Sequence, residues 1–175
     1  MTKSLSSLLL LSAIILFSCS KSNTDGGHTN IGGTLKATID GTPTTFYNAV
    51  ATKVTTTSGN YTSYSIGIGA WEGIAYASSG ITLAVAGTES IKANTYYSNY
   101  ATFGNAIAGL NYFKTGSVNF ASNEFTPDTC ILTINSLTQD SVKGTFSGRV
   151  KLLTGNASDT VHVITNGSFS AVIAN

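Results

Sequence analysis

Apolar and polar residues alternate with a period of two along most of the chain after residue 31, the spacing of strands with one buried face. Leu35, Ala37 and Ile39 share one face before the turn Asp40-Gly41. Phe46, Val50 and Val54 share a face of the next segment, which ends at Ser58-Gly59-Asn60. Tyr64, Ile66, Ile68 and Ala70 continue the rhythm, followed by Ile81, Leu83 and Val85, then Val118 and Phe120, then Cys130, Leu132 and Ile134. In the last third, Val142, Gly144, Phe146, Gly148, Val150 and Leu152 line one face, with Lys143, Thr145, Ser147, Arg149 and Lys151 on the other. After Gly155-Asn156-Ala157-Ser158 the same alternation runs through Val161, Val163, Thr165, Gly167, Phe169, Ala171 and Ile173. Folding these runs together predicts a long antiparallel hairpin with Val150 opposite Val163 and Phe146 opposite Gly167. Asn166-Gly167, ordinarily a hairpin turn, then falls inside a strand as a bulge or bend.

Composition supports an all-β fold. Charged residues are only 10% of the chain, and Thr, Ser, Gly and Asn supply most polar positions. Threonine suits strands, Gly and Asn suit turns, and the Glu, Lys, Arg and Gln that cover helices are scarce. Residues 31–175 are enough for one domain with a core. The expected architecture is an antiparallel β-sandwich or partly closed β-barrel of about eight to ten strands, with a lipocalin-like closed barrel as the alternative.

The first thirty residues follow a different pattern. Lys3 precedes an apolar run, Leu5 to Phe17, too short to span a bilayer, and Ser18 and Cys19 close it. Leu16-Phe17-Ser18-Cys19 resembles the lipobox of a bacterial lipoprotein signal peptide. That resemblance implies removal of residues 1–18 and attachment of diacylglycerol to the Cys19 thiol. Palmitate-type chains on Cys19 would hold the protein at the membrane, since two or more chains make a stable anchor where one does not. Residues 19–30 then form the lipidated cysteine and a polar, flexible tether ahead of the single domain at 31–175.

Charge excludes some partners. The chain has 9 Lys and Arg and 8 Asp and Glu. Lys3 leaves with the leader, so the mature protein is balanced, with no basic patch for nucleic acid. With Cys19 committed to lipid, Cys130 remains as a single thiol. Its alternation with Leu132 and Ile134 makes it a buried small hydrophobe, and Thr129-Cys130-Ile131-Leu132 offers no base to activate it.

A further resemblance rests on Ala37-Thr38-Ile39-Asp40-Gly41 with Phe46, on Gly144-Thr145-Phe146-Ser147-Gly148, and on Ile164-Thr165-Asn166-Gly167-Ser168-Phe169. Together with the leader ending Phe17-Ser18-Cys19-Ser20-Lys21, these look like small Bacteroidota-type lipoproteins with a β-rich domain of no assigned function. The resemblance implies an outer-membrane location. With only Asp25 as a nearby acid after Cys19, it favours the periplasmic face over the cell surface. Asp140-Ser141-Val142 and Asp159-Thr160-Val161 are similar to the O-glycosylation pattern of such bacteria, making Ser141 and Thr160 candidate modification sites.

No catalytic set emerges. His28 falls in the tether, and His162 falls on the polar face of its strand as a solvent-facing residue with no triad spacing. No cluster has metal-ligand spacing and no cofactor motif is present; Gly67-Ile68-Gly69 is strand packing rather than a phosphate loop. Glu72, Glu89, Glu124 and Asp128 are scattered acids from which a hydrolytic pair would have to be assembled. The stretch between Gly87 and Gly116 departs from the strand rhythm. It carries Tyr96, Tyr97, Tyr100, Phe103, Tyr112 and Phe113 among Asn94, Asn99, Asn105 and Asn111. Flat rings beside amides suit a glycan or peptide ligand, and equally suit a plug at the end of the fold. Tyr96, Tyr97, Tyr100 and Trp71 are therefore the candidate contacts of a non-catalytic binding module, whose partner is a glycan, a peptide or a protein. The alternatives are a carrier of a small apolar ligand, which needs an interior cavity, and a hydrolase.

Overall fold

The computed structural model describes residues 32–73, 78–99, 106–114, 118–123, 127–152 and 160–174. These residues form an all-β domain with ten strands and no helix: β1 Gly33–Ile39, β2 Thr42–Ser58, β3 Tyr61–Trp71, β4 Gly80–Gly87, β5 Asn94–Tyr97, β6 Ala106–Lys114, β7 Val118–Ala121, β8 Cys130–Leu137, β9 Ser141–Leu152 and β10 Val161–Ile173. The sheet order is β1-β10-β2-β3-β4-β6-β7-β9-β8-β5, and added pairings of β1 with β2 and of β10 with β9 turn the ladder into a ring. Strand β9 is shared. One of its edges pairs with β10 along nearly its whole length; the other pairs with β8 over 142–148 and with β7 at Lys151 and Leu152. The barrel is therefore partly closed, with β8 on the edge of β9 that β7 also uses and β5 paired outside it on β8.

Turn chemistry sets the hairpins. Asp40 and Gly41 both have positive φ, 49° and 83°, as the two central residues of a type I′ turn require, and Ile39 pairs with Thr42 across them. Gly59, at φ 60°, takes the first central position between Ser58 and Tyr61. Beyond Tyr64 the β2–β3 hairpin outruns β4 as a polar ribbon, and Tyr61 near its tip is 77% exposed.

The core is one contiguous cluster, including Leu35, Phe46, Ile66, Ile68, Ile81, Leu83, Val85, Leu110, Leu132, Ile134, Val142, Val150 and Ile164. In the β9–β10 hairpin, Phe146 faces Gly167 and Phe169 faces Gly144, with the two rings 6.4 Å apart. Each ring occupies the space over the opposing glycine. A Cβ on Gly167 would sit 2.7 Å from the Phe146 ring, and one on Gly144 would sit 2.6 Å from the Phe169 ring.

Two bulges alter the expected registers. Asn166 has φ 51°, and the β9–β10 ladder slips between Ile164 and Gly167. The expected partner Gly167 does face Phe146, but Val150 faces His162 rather than Val163, which faces Arg149 and is 49% exposed. A bulge reverses the side-chain phase on one side of it, so Ile164 is buried while Thr165 points out. In β2, Asn48 at φ 54° acts likewise: Phe46, Ala49 and Ala51 are buried in place of the expected Phe46, Val50 and Val54. The stretch after Gly87 also contains more strand than its rhythm implies. Ala106–Lys114 is β6, with Ala108, Leu110 and Tyr112 inward, and Asn94–Tyr97 is β5.

Candidate functional site

Alternation on β8 and β9 sends Ile131 and Thr133, and Thr145 and Ser147, to the outer face of the sheet. On β10 the bulge turns both Thr165 and Asn166 outward before Ser168 resumes the pattern. These side chains, with Phe146 and Gly167, line an open groove of about 500 Å³. Each strand of its floor has a neighbour on both sides: β9 lies between β8 and β10, β8 between β5 and β9, and β10 between β1 and β9, with the ladder interrupted at Thr165 and Asn166. None of the described residues that line it is ionisable. The Thr133 hydroxyl lies 3.0 Å from that of Thr95 on β5. Among the described residues, no partner holds the side chains of Thr145, Ser147, Thr165, Asn166 or Ser168. The groove thus presents hydroxyls and one carboxamide able both to donate and to accept. Ile131, 44% exposed, forms its apolar end, and Tyr97 is its register partner on β5.

A second cluster closes the end of the barrel at the β1–β2 turn. His162 Nδ1 is 2.5 Å from Asp40 Oδ2, and the ring stands nearly perpendicular to Tyr112 and Phe120, with centroids 5.1 and 4.4 Å away. The imidazole is turned inward, its side chain 12% exposed, rather than facing solvent as the uninterrupted alternation implies. Burial pushes the Tyr112 hydroxyl above its ordinary range, and the negative charges of Glu72 and Asp40 add to this against a hydrogen bond with Ser79.

Of the expected aromatic contacts, the described Tyr96, Tyr97 and Trp71 lie apart. Tyr96 is buried, and its hydroxyl donates to the Lys92 carbonyl at 2.8 Å while accepting from the Lys92 N–H at 3.1 Å, which pins the approach to β5. Tyr97 is half-buried on the outer face beside Ile131. Trp71 lies in a different row, Tyr47–Trp71–Gly80–Phe113, where its ring covers Gly80 and meets Phe113 at 5.5 Å. Tyr100 lies outside the described residues, as do Cys19, Glu124 and His28.

Cys130 is buried, as alternation predicts. Burial raises its thiol pKa, opposed by hydrogen bonds to Ser122 and Ser98. Of the scattered acids, Asp128 sits 3.0 Å from Arg149 Nε, and Glu72 and Glu89 follow opposite ends of the β3–β4 hairpin. Among the described residues no group of three His, Cys, Asp or Glu could hold a metal. Ser141 is half-buried with its hydroxyl 3.1 Å from that of Thr138, within the β8–β9 turn, whereas Thr160 is exposed just before β10.

The groove is not legible in the sequence because it depends on three strands lying side by side and on a bulge that places two successive residues on one face. The signal that was present is Asn166-Gly167, a turn-forming pair inside an alternating run. No family model, no curated protein and no solved structure matches the chain.

Proposed function

We propose that this chain is a lipid-anchored lipoprotein of the cell envelope, acylated on Cys19 and held at the periplasmic face of the outer membrane. In this reading it serves as a non-catalytic binding module whose ligand occupies the outer groove of β8, β9 and β10. The observation that carries the reading is a set of polar side chains, Thr145, Ser147, Thr165, Asn166 and Ser168, gathered in one concavity and without a partner among the described residues. The leader supports the anchor, since an apolar run of this length ends on a small residue and a thiol. Of the four aromatic candidates, Tyr97 is the one whose strand register brings it beside the groove.

Two measurements test the proposal. Growth with an alkyne-tagged palmitate should label the wild-type chain, and Cys19→Ala should abolish the label and move the protein from the membrane to the soluble fraction; continued labelling would refute the anchor. A thermal-shift screen of the full chain against glycans and peptides should find a ligand that raises the melting temperature, because a ligand that binds only the native state stabilises it. That shift should vanish when Thr145 and Asn166 are substituted, and a shift indifferent to both places the ligand elsewhere.

A further inference from the structure

We propose that β2 carries a self-association edge, on which residues 53–57 pair antiparallel with the same residues of a second copy of this chain about a two-fold axis at Thr55. This edge shares no residue with the groove, and its assignment does not depend on a ligand there.

The edge exists because one hairpin outruns its neighbours. Strand β4 pairs with β3 only from Tyr64 onward, so the rest of the β2–β3 hairpin leaves the barrel as a two-stranded ribbon. On its other side β2 pairs with β1 as far as Ala49 and with β10 at Val50 and Ala51; among the described residues no strand pairs with 52–58 on that side. The Ala51 carbonyl accepts the Ala174 N–H on this edge, and backbone direction repeats every second residue. Lys53, Thr55 and Thr57 therefore send their N–H and C=O groups outward, while the residues between them bond to β3. Proteins ordinarily blunt such an edge with proline, a bulge or a projecting charge. Residues 52–58 hold no proline and no register shift, and their one charge, Lys53, is drawn to the Thr138 carbonyl at 2.7 Å.

An open row of alternating donors and acceptors fits an extended strand, and three features select a second copy over a free peptide. The ribbon of a second copy is already held extended by its own β3, so pairing orders no new chain, whereas a free peptide loses backbone entropy on docking. The outward groups are self-complementary about Thr55. Thr55 exchanges two hydrogen bonds with Thr55 of the second copy, and Lys53 exchanges two with Thr57 of the second copy, which satisfies every outward group of 53–57 on both edges. This register also keeps the two lysines about 14 Å apart along the strands, so no like charges meet. Ala51, where β10 takes over the edge, falls opposite Gly59 in the turn of the other ribbon, and the two barrels stand at opposite ends of a four-stranded sheet. One ribbon edge buries less than the roughly 1,200 Å² of a stable complex, so the association is reversible, with a Kd of about 10 µM to 1 mM.

The test is sedimentation velocity of the purified full-length chain in detergent over about that concentration range, with amide hydrogen exchange alongside. The wild type should shift toward a dimer as concentration rises, with the amides of Lys53, Thr55 and Thr57 gaining protection. Thr55→Pro removes the central N–H and no bond to β3, so it should weaken association at least about tenfold at unchanged melting temperature. Under mild oxidation Thr55→Cys should join two copies through a disulfide, because residues so paired have Cα atoms about 5.5 Å apart. Thr57→Cys, about 14 Å from its symmetry mate, should not. The wild type, with Cys19 and the buried Cys130, is the blank. The inference is overturned if the chain stays monomeric up to about 1 mM, if Thr55→Pro associates as the wild type does, or if Thr57→Cys cross-links as readily as Thr55→Cys. A monomer whose three amides are already protected gives the edge to another segment of the same chain, and overturns it too.

Discussion

Asp40 and His162, 122 positions apart in the chain, form one clasp between the β1–β2 turn and β10. Asp40 Oδ2 meets His162 Nδ1, its Oδ1 accepts the Val163 N–H at 2.8 Å, and its own N–H donates to the Val163 carbonyl at 2.9 Å. His162 Nε2 is buried without a hydrogen-bond partner, beside the perpendicular rings of Tyr112 and Phe120. The aspartate side therefore carries the polar stabilisation of the imidazole.

Replacing His162 with Ala should cost about 1–3 kcal/mol, from the cavity left between two rings and the loss of a charge-assisted hydrogen bond. Urea denaturation of His162→Ala, Asp40→Asn and the double variant measures the coupling. About 0.5–1 kcal/mol is expected, because Asp40 is 47% exposed and solvent screens the pair. Strict additivity of the two substitutions would show that the clasp contributes nothing as a pair.

Acid should weaken this clasp. Burial raises the Asp40 carboxyl pKa, but hydrogen bonds from His162 and the Val163 N–H, with the charges of His162 and Lys114, outweigh that and hold it below the ordinary value of 3.8. A folded-state pKa below the unfolded one stabilises the protein above the unfolded value, and that contribution is lost as pH falls through the folded value. Urea midpoints measured from pH 5 to pH 2 should therefore decline less steeply for Asp40→Asn than for the wild type; parallel curves would contradict the assignment.

The alkaline limb has the opposite sign. Tyr112 has a raised pKa in the fold, so its contribution is complete below the unfolded value of 10.0 and disappears as pH rises through the folded one. Tyr112→Phe should remove that part of the alkaline decline, followed by the same urea midpoints between pH 9 and pH 12.

Glycine-to-alanine substitutions should separate by their surroundings. A Cβ on Gly144 would lie 2.0 Å from the Thr133 carbonyl oxygen, and one on Gly167 would lie 2.4 Å from that of Phe146, so each should destabilise by about 1–3 kcal/mol through overpacking. At Gly69 the nearest atom is Thr82 Cγ2 at 3.8 Å, and alanine there should change stability by less than about 0.5 kcal/mol. Thermal melts of the three variants check the order, and a Gly69→Ala as damaging as Gly144→Ala would contradict it.

Cys130, 2% exposed and with its thiol pushed up by burial, should react with iodoacetamide only through unfolding. Labelling of the native protein should therefore follow the global unfolding rate as urea is raised, detected by mass spectrometry. Rapid labelling without denaturant would place the thiol at the surface.

Period-two alternation by itself determined the all-β class, the buried faces of β1, β3, β4, β8 and β9, the tight turn at Asp40-Gly41 and the burial of Cys130. Each depends on neighbours within a few residues, and a strand repeats its side-chain direction every second position. The faces of β2 after Asn48 and of β10 before Asn166 are not legible in the sequence, because a left-handed residue inserts one extra position and reverses every side chain on one side of it. That reversal turns His162 inward to meet Asp40, Tyr112 and Phe120, and turns Thr165 outward beside Asn166. Tyr96 and Trp71, chosen for their chemistry, were assigned by packing to a hydrogen bond with Lys92 and to the space above Gly80. Local pattern determined which residues could be buried; strand order and two inserted residues decided which side chains meet.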